Sequence, residues 1–254
     1  MLSRLKRRLQ DVRAGLQGRR AAARARRRVA ALPRSAGADE VVDFLFSAEA
    51  TDIQPWQIPD EFRALPRLVA QRRPRTVLEI GTADGGTLFA HARLAHPEAL
   101  IISIDLPHGL FGGGYPRWRI PLYESFRGSR QRLELLRVDS HAASTIQLLE
   151  RVLDGRRVDY AFIDGDHTYE GVRQDLELCR RFAAPDAMIA FHDISPQPNS
   201  EYVAAAGVDW AVHRLWQEVS VRYAHDEFVR DPAQEGYGIG VLYLDRPVAG
   251  AGAP

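Results

Sequence analysis

The chain has 254 residues, of which 45% are hydrophobic, and this is enough to bury the core of one α/β domain. The net charge of +1 conceals an uneven distribution, because residues 1–38 carry +11 and the remainder therefore carries −10. A single cysteine, Cys179, excludes an intramolecular disulfide and is typical of a reducing compartment. Since the sequence contains no long apolar run and no apolar signal core, we expect a cytoplasmic protein without membrane spans.

Residues 1–38 are predicted to form a basic, amphipathic helical arm. Its apolar residues recur at helical spacing among arginines, at Leu2, Leu5, Leu9, Val12 and Leu16. Three interpretations remain open: a helix that forms homo-oligomers, a helix lying on an anionic membrane surface, or an arm that binds nucleic acid. Nucleic acid is the least favoured partner, because the segment lacks aromatic side chains for base stacking.

Residues 39–246 are predicted to form one domain in which strands and helices alternate. Residues 39–75 read as helical pieces broken at Pro55, Pro59 and Pro66. Strands are predicted at 77–80, 99–105, 133–138, 158–163, 187–191, 221–228 and 238–244, and helices at 87–96, 122–131, 142–153, 169–182 and 209–219.

This alternation predicts an α/β fold with a Rossmann-like, doubly wound sheet of seven strands and helices on both faces. The sheet is mostly parallel, but no helix separates the last two strands, so we expect one antiparallel edge strand. The tail at 247–254 is rich in Gly, Ala and Pro, and is expected to be disordered.

The first strand runs into a glycine-rich turn and a helix, which is how α/β folds bring an adenosine cofactor to the carboxyl edge of the sheet. A dinucleotide fingerprint starting at Gly81 would need glycine at position 83, so Ala83 disfavours a nicotinamide dehydrogenase. The turn reads Glu-x-Gly-x-x-x-Gly-Gly and resembles motif I of class I S-adenosylmethionine (SAM) methyltransferases. The alternative is a tight turn that needs glycine for its backbone angles alone. The resemblance assigns to the cofactor the residues Glu79, Gly81, Thr82, Ala83, Gly85 and Gly86.

The residues just after the second and third strands are the next candidates for cofactor binding. Asp105 lies 24 residues after Gly81 and can accept hydrogen bonds from the ribose hydroxyls, with Leu106 beside it. The turn after the third strand borders the adenine in methyltransferases, and the resemblance therefore adds Asp139, Ser140 and His141. A helix N-cap formed by Ser140 is the alternative, and both roles are compatible.

Carboxylates and imidazoles follow the fourth and fifth strands. Asp164, Asp166 and His167 come after the fourth strand, and His192 and Asp193 end the fifth. Charge at the end of a buried strand is costly unless a cation or cofactor compensates it. Asp164 and Asp193 should lie on adjacent strand ends, where carboxylate oxygens suit Mg²⁺, or Mn²⁺ when an imidazole joins them.

Together with the glycine turn, the runs Asp-Gly-Asp-His-x-Tyr-Glu from Asp164 and Phe-His-Asp ending at Asp193 resemble metal-dependent O-methyltransferases of natural-product pathways. These are the macrocin and mycinamicin sugar O-methyltransferases and the cephalosporin hydroxylase-like group, with catechol O-methyltransferase a more distant relative. The resemblance covers roughly residues 50–245. It implies Asp164 and Asp193 as metal ligands, with Asp164 also touching SAM. His192, at a position where relatives often have Asp or Glu, completes the predicted metal site.

The resemblance implies SAM- and Mg²⁺-dependent (or Mn²⁺-dependent) O-methyl transfer to a hydroxylated small molecule, such as a sugar or natural product. His167 is the first candidate for the general base and His192 the second, with Asp164 beside them. The loop at 106–118 is expected to cover the site and to contact the acceptor through Tyr115, Arg117 and Trp118. Two alternatives stay open: a metal-independent methyltransferase of this fold, and a non-catalytic interaction protein.

Overall fold

Seven strands form a single sheet in this protein, whose computed structural model describes residues 2–109, 114–197, 203, 207 and 210–248, and only the backbone of residues 2–16. The strands are β1 (Thr76–Ile80), β2 (Leu100–Ile104), β3 (Arg132–Leu136), β4 (Val158–Ile163), β5 (Ala183–His192), β6 (Tyr223–Phe228) and β7 (Ile239–Pro247). Their order across the sheet is β3-β2-β1-β4-β5-β7-β6.

The five strands from β3 to β5 are parallel, whereas β7 runs antiparallel to both of its neighbours, β5 and β6. Every residue of β1 and β2 is buried, as expected for parallel strands covered on both faces. The predicted fold class is therefore confirmed. The antiparallel strand lies one position inside the edge, because β7 returns between β5 and β6.

Helices cover both faces of the sheet. They are α1 (Leu2–Ala31), α2 (Ala38–Leu45), α3 (Pro59–Arg72), α4 (Gly86–Leu94), α5 (Ile120–Glu124, after a 3₁₀ turn at Arg117–Arg119), α6 (Ala143–Leu153), α7 (Tyr169–Phe182) and α8 (Val212–Ser220). Helices α1 to α5 pack with one face, in the cluster that contains Phe62, Phe89 and Tyr123. Helices α6 to α8 pack with the other, around Leu149, Leu176 and Trp216.

Most predicted elements are found within a few residues of their expected bounds, and three differ. Pro66 lies inside α3 instead of breaking it, because the buried face formed by Phe62 and Val69 offsets the lost hydrogen bond. Helix α5 ends at Glu124, short of the predicted residue 131, and Ser125 Oγ donates to the Leu122 carbonyl at that end. Strand β5 begins four residues earlier than predicted. Asp209, the first residue of the helix predicted at 209–219, lies outside the described residues.

The second half of α1 packs on the domain instead of standing apart from it. Ala22, Ala25 and Val29 are buried, and a Cβ atom added at Gly18 would come within 2.5 Å of the Trp118 ring. The predicted boundary at residue 38 stays a prediction. None of the helices in the described part of the chain combines the length and the apolar character needed to cross a bilayer.

Candidate active site

Two cavities, each of about 260 Å³, open at the carboxyl ends of the parallel strands. The first, here called the donor cavity, is lined by Asp105, Leu106, Asp139, Ser140, His141 and Asp166, among others. The second, here called the acceptor cavity, is lined by Trp56, Gln57, His167, His192, Trp210 and Tyr237, among others. Gly81, Ala83 and Asp164 line both cavities, so the two spaces meet at the glycine turn and the end of β4.

The glycine turn packs directly against the end of β4. Gly81 has a φ of +88°, and a Cβ atom there would lie 1.9 Å from the Asp164 carbonyl oxygen. A Cβ atom at Gly85, whose φ is +87°, would lie 2.6 Å from the Tyr123 ring. Both glycines are thus required by backbone angle and by close packing within the protein. Their predicted contact with the cofactor stays a prediction.

The Asp105 carboxylate accepts hydrogen bonds from the backbone of the glycine turn. Its Oδ2 accepts hydrogen bonds from the backbone N–H groups of Thr82 (3.1 Å) and Ala83 (2.9 Å), and its Oδ1 accepts one from Gly114 (2.5 Å). Burial raises the pKa of this carboxyl, and the three N–H groups oppose that shift. A carboxylate has about four acceptor positions, so one remains, and the predicted contact with a ribose hydroxyl stays a prediction.

Glu79 lies in the core beneath the turn and lines neither cavity. Its carboxylate accepts a hydrogen bond from Thr87 Oγ1 (3.0 Å) and pairs with His91 Nδ1 (2.9 Å), whose Nε2 contacts the Tyr160 hydroxyl at 3.0 Å. The geometry thus gives Glu79 a supporting position under the glycine turn. Its predicted role in cofactor binding remains a prediction.

The turn after β3 places His141 at the wall of the donor cavity. Asp139 Oδ1 accepts the backbone N–H of His141 at 2.9 Å, and the N-cap of α6 is Ala142, without a side-chain cap. The alternative that Ser140 caps this helix is therefore wrong. His141 Nε2 instead contacts Oδ1 of Asp175, a residue of α7, at a distance of 3.1 Å.

Two carboxylates and two imidazoles meet at the acceptor cavity. Asp164 Oδ1 lies 2.9 Å from His192 Nδ1, and its Oδ2 accepts a hydrogen bond from Gln57 Nε2 at 2.8 Å. Asp193 Oδ2 lies 2.9 Å from His167 Nδ1 and 3.4 Å from His192 Nδ1. Gln57 Oε1 and His192 Nε2 are buried and have no hydrogen-bond partner among the described residues.

Asp164, His167 and Asp193 together offer ligand atoms that lie within 4.8 Å of one another, a grouping compatible with one metal ion. This donor set of two carboxylates and an imidazole fits Mg²⁺ or Mn²⁺. The predicted pair of aspartates is therefore brought together. The imidazole in this grouping is His167, whereas the sequence predicted His192, whose role as a ligand stays a prediction.

The cluster shifts the protonation of its members. Burial lowers the pKa of His192, but the adjacent Asp164 and Asp193 carboxylates outweigh it and raise this pKa to about 9. Burial raises the pKa of Asp193, but His192 and His167 outweigh that effect and lower it. At neutral pH the cluster therefore holds an imidazolium between two carboxylates.

His192 should make the stability of the metal-free protein depend on alkaline pH. Because its pKa is raised on folding, its stabilising effect is complete below about 6.5 and is lost as the pH rises through about 9. We expect chelator-treated wild type to lose roughly 3 kcal/mol of unfolding free energy across that range, relative to His192→Gln. Urea unfolding at pH 6 and pH 9.5 measures this, with exposed His225→Gln as the control. An identical pH response in wild type and His192→Gln would contradict it.

In the described part of the loop after β2, Tyr115, Arg117 and Trp118 line neither cavity. Tyr115 is buried against Tyr123 at a centroid distance of 4.7 Å, while Arg117 and Trp118 line a groove beside α1. The prediction that these three side chains contact the acceptor is therefore wrong. Arg119 anchors the segment by an ion pair with Asp84 at 2.9 Å. Residues 110–113 of the predicted lid lie outside the described residues.

Several residues at the site were not predicted from sequence. The Trp210 ring stacks on His167 at 4.1 Å and 16°, and the Tyr237 backbone N–H donates to Asp193 Oδ1 at 2.9 Å. Buried Glu61 of α3 holds the segment before β7 by accepting the N–H groups of Arg230 (2.8 Å) and Gly238 (2.9 Å). Only Gln57 had a sequence signal, because it follows the Gln-Pro-Trp run upstream of the first strand.

Residues 78–194 match the model of a family described as a methyltransferase domain. That segment runs from β1 to just beyond β5 and includes the glycine turn and both aspartates of the cluster. The search of curated proteins finds no match.

Solved structures similar to this chain include O-methyltransferases. One is the O-methyltransferase from Bacillus cereus in complex with SAH, at 16% identity and a TM-score of 0.54, covering 84% of this chain and 93% of that chain. Another is TomG from Streptomyces achromogenes, an O-methyltransferase involved in tomaymycin synthesis and solved with SAM. It is 15% identical with a TM-score of 0.50, and 89% of each chain is covered. At these identities the likeness establishes the fold.

Proposed function

We propose that this chain, whose residues 78–194 match a methyltransferase domain, transfers a methyl group from SAM to a hydroxyl of a small molecule. The observation that carries the proposal is the imidazole of His167, oriented by Asp193 at the wall of the acceptor cavity. The adjoining donor cavity meets this space at Gly81 and Asp164, so donor and acceptor can approach each other there.

SAM would occupy the donor cavity, with its adenosine between Asp105 and His141 and its methionine end toward the glycine turn. The remaining acceptor position of Asp105 suits a ribose hydroxyl. The reactive methyl group would then point past Asp164 into the acceptor cavity.

The protein's part in the reaction is to align the acceptor and remove its proton. A carboxylate can only accept, so Asp193 Oδ2 fixes the proton of neutral His167 on Nδ1 and leaves Nε2 as the basic nitrogen. Stacking on Trp210 holds the ring in this orientation. The acceptor O–H proton passes to His167 as the oxygen–methyl bond forms and the methyl–sulfur bond breaks, which leaves S-adenosylhomocysteine.

A divalent cation is part of the proposal, with Asp164, Asp193 and, once it has lost its proton, His192 as its ligands, so that His167 stays the base. The two carboxylates share one partner, His192 Nδ1, and together with the unpartnered His192 Nε2 and Gln57 Oε1 they leave polar atoms at this site unsatisfied. A bound Mg²⁺ would polarise the acceptor hydroxyl and lower its pKa. One observation favours the metal-independent alternative: the His192 imidazolium already supplies a positive charge between Asp164 and Asp193.

Calorimetric titration of SAM into chelator-treated protein tests the proposal and separates these alternatives. We expect micromolar SAM affinity, and a separate Mg²⁺ signal that disappears in Asp164→Ala while the exposed Asp186→Ala control retains it. SAM binding without any Mg²⁺ signal would favour the metal-independent enzyme. Absence of SAM binding under both conditions would contradict the methyltransferase proposal and leave the interaction protein.

The acceptor we propose is a hydroxylated sugar or natural product, since the walls of its cavity combine Trp56, Trp210 and Tyr237 with polar atoms. A cytoplasmic location, self-association and contact of the basic arm with a membrane surface belong to the same proposal. The arm's positive charge and its long helix support the membrane contact and the self-association. Nucleic acid is not among the proposed partners.

A further inference from the structure

Asp175 is a wholly buried carboxylate that the reaction described above does not use. It lies on α7, and its Oδ1 contacts only one side chain among the described residues, His141 through Nε2 at 3.1 Å. Its Oδ2 is buried without a hydrogen-bond partner in the described structure, 3.3 Å from where a Cβ atom of Gly165 would lie. Burying a carboxylate costs folding free energy, so we expect Asp175 and its partner His141 to have a role beyond packing.

His141 lies between Asp175 and the donor cavity. Its half-buried ring lines that cavity, and Asp139 Oδ1 lies 4.0 Å from Nδ1, beyond hydrogen-bond distance. Because the Asp175 carboxylate can only accept, Nε2 must carry the proton in neutral His141. The lone pair of the ring is then on Nδ1.

We propose that Asp175 is a positioning residue that fixes the tautomer of His141, so that Nδ1 accepts a hydrogen bond from the exocyclic amine of the cofactor's adenine. This inference rests on the proposed function, because it needs adenosine in the donor cavity. His141 and Asp175 would thereby distinguish adenine from a purine that carries a carbonyl group at the same position. The amine donates a hydrogen bond to Nδ1, whereas a carbonyl oxygen would face the Nδ1 lone pair and be repelled.

The same arrangement predicts weaker cofactor binding in acid. The hydrogen bond that Asp175 accepts from His141 raises the pKa of His141, burial opposes this, and Asp139 on the same turn and Asp166 after β4 add to the rise. Glu170, at the start of α7, also interacts electrostatically with His141. Protonated His141 has no lone pair for the amine, so affinity for the 6-amino cofactor falls as the pH drops through this pKa.

The test compares S-adenosylhomocysteine with S-inosylhomocysteine, which carries a carbonyl in place of the amine, by calorimetric titration. We expect wild type to prefer the amine by about tenfold, the worth of one hydrogen bond and one avoided repulsion. His141→Phe and Asp175→Leu should each bring the ratio close to one. Glu177→Gln, on the exposed face of α7, should leave it unchanged.

Each outcome separates this inference from the function on which it rests. A wild-type ratio near one, or an unchanged ratio in His141→Phe, would overturn the inference while S-adenosylhomocysteine binding still supported the methyltransferase. If Asp175→Leu fails to fold, His141→Phe and the pH dependence of the wild-type ratio decide. Binding of neither compound by wild type would overturn both proposals.

Discussion

Replacing His167 with asparagine is expected to lower the rate of methyl transfer by about 10²- to 10⁴-fold, the usual contribution of a general base. Asparagine keeps a polar group beside Asp193 but cannot accept a proton near neutral pH. Because His167 lines only the acceptor cavity, the affinity for SAM should stay within about threefold of wild type. Single-turnover rates and calorimetric SAM titration measure the two effects separately.

His225→Asn is the matched control, because this histidine lies exposed on β6 and its Nδ1 contacts only the Tyr223 carbonyl among the described residues. Its turnover should equal that of wild type. Undiminished turnover in His167→Asn would remove His167 from the role of base. A parallel loss of SAM affinity would instead indicate a structural defect.

Replacing Gly81 with alanine is expected to destabilise the domain by more than about 4 kcal/mol, in the range of the most severe single substitutions. The added Cβ atom would lie 1.9 Å from the Asp164 carbonyl oxygen, which belongs to backbone and cannot rotate away. The positive φ adds strain for any residue with a side chain. Urea unfolding of both proteins gives the difference in unfolding free energy.

Gly155→Ala is the control for backbone strain alone. Gly155 also has a positive φ, +78°, but nothing lies within 4 Å of its missing Cβ atom. We expect a loss of about 1–2 kcal/mol there. Equal losses at the two positions would show that steric contact with β4 contributes nothing at Gly81, contrary to this account.

The sequence predicts the sheet and the closeness of Asp164 to Asp193, because both depend on local sequence patterns. Apolar runs locate the strands, and the alternation with helices fixes which strand ends are adjacent. Strand β4 has the predicted bounds, Val158–Ile163, for this reason. The seven-strand order follows from the same alternation once β7 is placed between its neighbours.

The rest of the site depends on contacts between distant parts of the chain. Gln57 reaches Asp164 across 107 positions, and Asp175 projects from a helix whose pattern shows only that it is amphipathic. Tyr115 and Trp118 resemble a substrate platform in sequence, but tertiary packing turns them toward the core and α1. Neither local propensity nor spacing contains such information.

The segment that matches the methyltransferase family, residues 78–194, contains every residue that lines the donor cavity but only some of those that line the acceptor cavity. Gln57 and Trp56 precede it, whereas Trp210 and Tyr237 follow it. Under the proposed function, the residues that bind the methyl donor and those that choose the acceptor therefore lie in separate parts of the chain. Under the proposed function, we expect that exchanging residues 54–57 or 210–237 with those of another protein of this fold changes which alcohol is methylated and leaves the methyl donor unchanged.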